Sequence, residues 1–261
     1  MNNGQEALMQ PRDPKPGFVA EAQNDLVLSF LAVRRMLGLL GLFLPLSLLA
    51  TAILTDEPMR PSISEFYHGQ GREFFVGTLC AIGVFLWSYV GYPPAHRGEA
   101  PTDKQVSRIA AVAVICVALF PTGDNLAPPG QVMQDCSVFQ CLVGENISRR
   151  LHYLAAGIFF SSLALFCLVL FRRDGGQGQD AEKAARNRIY ALCGWTIVAC
   201  VLALGVYGVV YAMQDSVGKT RLDRSYLVFI LESIGIFAFA ISWLTKGKAL
   251  QPLEALMTKT S

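Results

Sequence analysis

The sequence alternates long apolar stretches with short polar segments, and this pattern predicts the architecture. A helix needs about 20 mostly apolar residues to cross the ~30 Å hydrocarbon core of a membrane. Stretches of this kind occur at residues 36–54, 74–92, 106–121, 151–171, 189–213 and 226–244. We therefore predict an all-α polytopic membrane protein, a six-transmembrane-helix bundle over residues 31–246. Residues 1–30 are expected to form a flexible polar tail and residues 247–261 a cytoplasmic tail.

Composition supports a membrane protein and excludes other classes. Hydrophobic residues make up 52% of the chain and charged residues only 16%, whereas soluble domains carry about 25% charged residues. The net charge of +2 does not fit a nucleic-acid-binding protein, which needs a strongly basic surface. The expected partners are membrane lipids, and assembly into a homo-oligomer is left open.

The distribution of basic residues predicts the orientation. With the N-terminus inside, the inner segments hold 15 of the 22 Lys and Arg residues, as expected because cytoplasmic loops collect positive charge. We expect a multi-pass protein of the cell membrane, the inner membrane in a bacterium, with both termini cytoplasmic. Trp87, Tyr89, Tyr92 and Trp243 are expected to form an aromatic belt at the inner interface.

Two of the seven cysteines stand apart from the rest. Cys136 and Cys141 fall in the loop between the third and fourth predicted spans, and the other five lie within spans. Because this loop is predicted outside, the pair is read as a local disulfide. A two-thiolate metal site is the less favoured alternative, since no His or further Cys lies close by in sequence.

Glu232 is the sharpest functional signal, because it lies in the last predicted span with apolar neighbours. An acid within a span costs about 2.5–3.5 kcal/mol on insertion scales, so it faces the bundle interior and needs a partner. Arg72, Arg149 and Arg150 lie at a suitable predicted depth. A purely structural buried acid is an equally open interpretation.

Three further polar residues are predicted near the same interface. His68, Asp124 and His152 join Glu232 from four different segments, and two imidazoles with two carboxylates suit a zinc ion. Each histidine has a simpler interpretation as a hydrogen-bonding partner. We expect these residues to converge in one cavity with Ser64 and Arg72.

The preceding loop is expected to fold over the mouth of the bundle. Ile63, Phe66 and Tyr67 within residues 62–68 are apolar and would be poorly placed in water.

Several sequence blocks resemble a known group of proteins. The chain is similar to uncharacterised bacterial six-span membrane proteins grouped as a domain of unknown function, which implies a fold but no activity. The blocks are Pro61-Ser62-Ile63-Ser64-Glu65, Arg72-Glu73-Phe74-Phe75-Val76-Gly77, Ala118-Leu119-Phe120-Pro121-Thr122, Leu151-His152-Tyr153-Leu154-Ala155-Ala156, Arg186-Asn187-Arg188-Ile189-Tyr190 and Ile241-Ser242-Trp243-Leu244.

Two more distant resemblances concern the polar segments. The Ile-Ser-acid loop before the second span, with a His opening a later span, resembles the DRAM-type six-span proteins. The spacing of Ser64 and His68 is similar to that of the CREST superfamily of membrane hydrolases, which includes alkaline ceramidases. That resemblance implies zinc held by a His of the second span and a His-x3-His pair of the last span. This sequence has no such pair, and its last span offers only Glu232.

Three functions are compatible with these patterns. The favoured hypothesis is a non-catalytic lipid-binding, sensor or scaffold protein with a polar cavity at the outer face. The alternative is a zinc-dependent hydrolase of lipid-like amides or esters, in which Ser64, Arg72 and Glu232 carry the catalytic roles and zinc lowers the pKa of bound water. A small transporter or proton relay is the second alternative.

Overall fold

The computed structural model describes residues 16–91, 100–124, 136–173 and 181–249, with residues 16–28 as backbone only. All regular secondary structure in these ranges is helical. The α-helices are α1 (Pro16–Leu54), α2 (Arg72–Ser88), α3 (Asp103–Leu119), α4 (Val138–Val143), α5 (Glu145–Leu168), α6 (Ala181–Ala212), α7 (Ser216–Asp223) and α8 (Leu227–Lys246). Short 3-10 helices cover Ser64–His68 and Leu170–Arg172. The all-α prediction is confirmed.

The six longest helices form a closed ring in the order α1, α2, α3, α5, α6 and α8, and each packs against two neighbours. Successive helices of the ring run in opposite directions, so α1 starts and α8 ends at the same end of the bundle. A hydrogen bond of 2.9 Å from Arg35 Nε to the Gly247 carbonyl joins them there. We call the other end, which holds the 3-10 helix Ser64–His68, the cavity end.

Four segments are long and apolar enough to cross a membrane, by length and composition. They are Ser29–Leu54, Glu145–Arg172, Ala181–Ala212 and Ser216–Lys246. The membrane-protein prediction is confirmed at this level. Helices α2 and α3 have 17 residues each, about 25 Å of helix, so the count of six spans stays a prediction.

The first helix begins earlier than the sequence predicts. Helix α1 starts at Pro16 and runs through Pro45 to Leu54, so the tail predicted over residues 1–30 is helical from residue 16; residues 1–15 lie outside the described ranges. Proline suits the first turn of a helix, where its missing N–H leaves no unmet bond. No proline follows before residue 45 to stop the helix.

The core at the end opposite the cavity is aromatic. The indole of Trp243 is fully buried, and it packs edge-on against the rings of Tyr89, Phe166 and Phe171. Tyr89 is 1% exposed. The predicted interfacial belt is therefore wrong for Trp243 and Tyr89, because both rings turn into the bundle; Trp87 is 54% exposed, and Tyr92 lies outside the described residues.

Helix α6 packs closely over only part of its length. All its buried residues lie between Ala185 and Cys200, and no residue from Val201 to Ala212 is buried. The second half of α6 therefore stands away from its neighbours at the cavity end, and this separation creates the space described next.

Candidate functional site

The segment between α1 and α2 folds back over the cavity end of the bundle. Phe66 is fully buried, Ile63 is 3% exposed and Tyr67 is 9% exposed, so the predicted fold-back of this loop is confirmed. The Pro61 carbonyl accepts a hydrogen bond of 2.9 Å from the Phe229 N–H at the start of α8. This bond positions the loop above the bundle interior.

Glu232 turns inward, as its sequence environment predicts, but its partner is not an arginine. The Glu232 Oε2 atom accepts a hydrogen bond of 2.7 Å from the backbone N–H of Ile63. Arg72 is exposed; its Nε donates to the Tyr67 carbonyl at 2.6 Å and its guanidinium lies over the Tyr67 ring. The expectation that Arg72 joins the cavity is wrong, because its side chain reaches back along the loop. Arg150 is also exposed.

Ser64 and His152 form a direct pair across the loop and α5. The Ser64 Oγ lies 2.9 Å from His152 Nε2, and the Phe120 carbonyl lies 2.8 Å from His152 Nδ1. A carbonyl only accepts hydrogen bonds, so Nδ1 of the neutral ring carries the proton. Nε2 then accepts the hydroxyl hydrogen of Ser64. Both side chains are buried.

Arg60 organises a second polar cluster that sequence reasoning missed. Its guanidinium, 9% exposed, lies 2.8 Å from Asp124 Oδ1 and 3.3 Å from Glu57 Oε1. It also donates to the His68 carbonyl at 3.3 Å. The three-residue spacing of Glu57 and Arg60 was the available signal.

The four predicted zinc ligands divide between two places. His68 and Asp124 belong to the Arg60 cluster, where His68 Nε2 lies 2.8 Å from the Thr122 carbonyl. His152 and Glu232 line the cavity instead. Within the described residues, no group of three or more His, Cys, Asp or Glu side chains could hold a metal ion. These donors therefore do not fit a zinc site as they stand, and zinc binding stays a prediction.

A cavity of about 700 Å³ lies between the loop and helices α5, α6 and α8. Its polar lining comprises Ser62, Ser64, Glu65, Thr122, Arg149, His152, Tyr153, Tyr207, Tyr211, Asp223 and Glu232. Its apolar lining includes Ala156, Gly157, Phe160, Val201, Leu204, Gly205 and Val228. Of the six residues expected to converge, Ser64, His152 and Glu232 meet here.

Glu65 is a further carboxyl group in the cavity lining. It is 4% exposed, and burial, reinforced by the carboxylates of Asp223 and Asp124, raises its pKa to about 8 against the opposing effect of Arg60. Glu65 is therefore largely protonated near neutral pH and can donate a hydrogen bond. Burial also lowers the pKa of the neighbouring His68, which favours the neutral ring.

The cavity opens at the surface of the bundle between α5 and α6. Gly157, Gly205 and Gly208 line it and are exposed, and a Cβ added at any of them would meet no atom within 4 Å. At the rim, the Tyr211 hydroxyl donates to Asp223 Oδ2 at 3.1 Å. The glycines therefore leave a lateral gap, with room for an added side chain at each of these positions.

The disulfide prediction agrees with the structure. The sulfur atoms of Cys136 and Cys141 lie at bonding distance, with their Cα atoms 5.6 Å apart. Cys141 lies within α4 and Cys136 just before it, and α4 leads into α5 at the cavity end.

Comparison with known proteins identifies one family. A family model described as "Protein of unknown function (DUF998)" matches residues 38–247, which agrees with the resemblance to six-span proteins of unknown function. Neither the curated proteins nor the solved structures contain a match to the sequence. The resemblances to DRAM-type proteins and to the CREST superfamily stay predictions.

Proposed function

The chain belongs to the DUF998 family, and we propose that it binds a lipid-like amphiphile in the cavity. In this proposal the six longest helices all cross the cell membrane. Both termini are cytoplasmic, and the cavity faces the outer leaflet. The excess of basic residues in the segments at the terminal end supports this orientation. A sensor or scaffold role would use the same binding step.

The observation that carries the proposal is the change in polarity along the cavity walls. On α5, His152 and Tyr153 at the cavity end give way to Ala156, Gly157 and then Phe160 deeper in the bundle. On α6, the lining likewise passes from tyrosines to glycine, leucine and valine. A ligand with a polar head and an apolar chain matches this gradient.

Size and access support the same ligand class. Ligand pockets span about 300–1,000 Å³, and the cavity of about 700 Å³ lies within that range. The gap at Gly157 and Gly205 faces the surrounding lipid in a membrane-embedded bundle, so an acyl chain can enter sideways. Each buried CH₂ group contributes about 0.8 kcal/mol in transfer from water.

The charges in the cavity favour a head group without a phosphate. Glu65, Asp223 and Glu232 line the polar part, with Arg149 as the basic side chain of the lining. An anionic head would meet more carboxyl groups than cations. We therefore propose an uncharged or amine-bearing head rich in hydroxyl or amide groups.

The test measures binding of radiolabelled monooleoylglycerol to the full chain in nanodiscs. Gly157→Leu and Gly205→Leu place a side chain in the apolar part and should weaken binding about tenfold or more, because displacing two CH₂ groups at ~0.8 kcal/mol each exceeds the 1.4 kcal/mol of a tenfold change. Gly77→Leu is the matched control, since Gly77 on α2 is exposed, has open space at Cβ and lies outside the lining. Equal affinity in all variants would refute binding in this cavity.

A further inference from the structure

We propose that Ser64 and His152 form a nucleophile–base pair that cleaves an acyl ester bound in the cavity. This inference rests on the proposed function, because the cavity must first bind the ester. It differs from the zinc-hydrolase hypothesis, in which bound water is the nucleophile, since here the attacking atom is Ser64 Oγ.

The geometry is that of an activated serine. A general base must lie within about 2.6–3.2 Å of the group whose proton it takes, and a third group orients the base. His152 Nε2 lies 2.9 Å from Ser64 Oγ, and the Phe120 carbonyl lies 2.8 Å from His152 Nδ1. Because that carbonyl holds the proton on Nδ1, the Nε2 lone pair points to the serine hydroxyl.

Other buried serines of the bundle have a different environment. Ser148, Ser162 and Ser242 each donate to a backbone carbonyl, at 2.9, 2.7 and 2.7 Å, which is the ordinary way to satisfy a hydroxyl in a helix. Ser64 instead bonds to an imidazole and lies in the wall of the cavity together with that imidazole. Both partners are therefore next to any ligand that enters.

The reaction proceeds through an acyl-enzyme. Ser64 Oγ attacks the ester carbonyl carbon while its proton moves to His152 Nε2. The ester C–O bond then breaks, and the leaving alcohol takes that proton. Water attacks the acyl-serine, gives one proton to His152, and releases the fatty acid as the proton returns to Ser64. Water is the co-reactant, and no electrons are exchanged with an external agent.

Two side chains of the same lining carry donors for the negative oxygen that forms during attack. Arg149 supplies guanidinium N–H groups, one of which donates to Asn146 Oδ1 at 2.8 Å, and Glu65 supplies an O–H donor in its protonated form. Burial raises the pKa of Glu65 to about 8, so this donor is present at neutral pH. Donors that are positioned before the reaction stabilise the charge that develops on such an oxygen.

The test uses the full chain in nanodiscs with an alkyl fluorophosphonate, which forms a stable adduct on activated serines. We expect one adduct, assigned to Ser64 by peptide mass spectrometry, and release of oleate from monooleoylglycerol. Ser64→Ala should abolish both signals. His152→Asn should slow labelling about 100-fold or more, the contribution of a general base. Ser162→Ala is the control and should react like the wild type.

The outcomes separate this inference from the proposed function. Wild-type protein that binds monooleoylglycerol but carries no phosphonate on Ser64 would overturn the pair and leave ligand binding intact. Labelling of Ser64 that is equally fast in His152→Asn would also overturn it. Absence of both binding and labelling would refute both proposals. Adduct mapping on the wild-type chain decides the question even if the His152 variant does not fold.

Discussion

Glu232 on α8 and Ile63 in the preceding loop are joined by a hydrogen bond of 2.7 Å from the Ile63 backbone N–H to Glu232 Oε2. An acid inside the bundle is thus satisfied by the main chain of a segment 169 positions away. This bond fixes the loop that carries Ser64 and Glu65 over the cavity. Loss of the bond should therefore loosen the roof of the cavity as well as destabilise α8.

Removing the Glu232 carboxyl should destabilise the protein. Glu232→Ala leaves the buried Ile63 N–H without its acceptor, and we expect a loss of about 1–3 kcal/mol in the free energy of unfolding. Glu232→Gln keeps an acceptor oxygen and should cost less. Ser233→Ala is the neighbouring control, because the buried Ser233 Oγ has no hydrogen-bond partner in the described part of the chain. Thermal unfolding in detergent measures the effect, and equal losses in the three variants would contradict this role.

Removing the Arg60 side chain should destabilise the protein more than removing the Glu232 carboxyl does. Arg60→Ala leaves Glu57 and Asp124 without their shared cation, and breaking a buried ion pair costs about 3–5 kcal/mol. Glu182→Ala removes the exposed pair with Arg186 and should cost about 0–1 kcal/mol. Chemical denaturation measures the loss in the free energy of unfolding for each variant. Similar losses in Arg60→Ala and Glu182→Ala would show that water already screens the Arg60 cluster and would contradict this prediction.

Stability should depend on pH through Glu65. Its folded-state pKa of about 8 lies above the ordinary value of 4.5, so the native state holds more protons than the unfolded state between these values. Stability from this group therefore falls as pH rises from about 4.5 to about 8. His68, whose pKa is lowered, acts in the opposite direction near pH 6.5. Comparing Tm across this range in wild type and Glu65→Gln isolates the Glu65 contribution, and parallel curves would contradict it.

The predicted topology places Gln140 and Lys219 outside and Arg173 and Lys248 inside. Alkaline phosphatase fused after the first two positions should be active in a bacterial host, and fused after the last two it should be inactive. The reason is that six crossings with the basic segments inside leave both loops at the cavity end outside. An active fusion at Lys248 would reverse the orientation. A fusion after Pro101, between α2 and α3, should also be inactive, and an active fusion there would remove those two spans.

Metal analysis tests the zinc prediction directly. Because His68, Asp124 and His152 already bond to Thr122, Arg60 and Ser64, we expect zinc far below one per chain in protein purified without a metal-affinity tag. Zinc at about one per chain that is lost in His152→Ala would instead support the zinc-hydrolase hypothesis.

The sequence predicts the long helices and several of the residues that leave water, but not the burial of Tyr89 and Trp243. The apolar stretches predict the six longest helices, and the apolar Phe66 and Tyr67 predict a buried loop. Glu232 had to face inward because an unpaired acid in lipid costs several kcal/mol. The spacing of Cys136 and Cys141 predicts their pairing. Each of these inferences depends on the residue's own solvation or on near neighbours in the chain.

The identity of the partners was decided only by the tertiary structure. Ser64 meets His152 across 88 positions and Arg60 meets Asp124 across 64, and no local pattern distinguishes these pairs from the expected pairing of Glu232 with Arg72. The cavity depends on the second half of α6 standing away from α5, although α6 carries no charged residue anywhere from Ile189 to Ala212. Hydrophobicity selects which residues leave water, but it has no direction. The choice of partner therefore depends on which distant segments the helix ring brings within hydrogen-bonding distance.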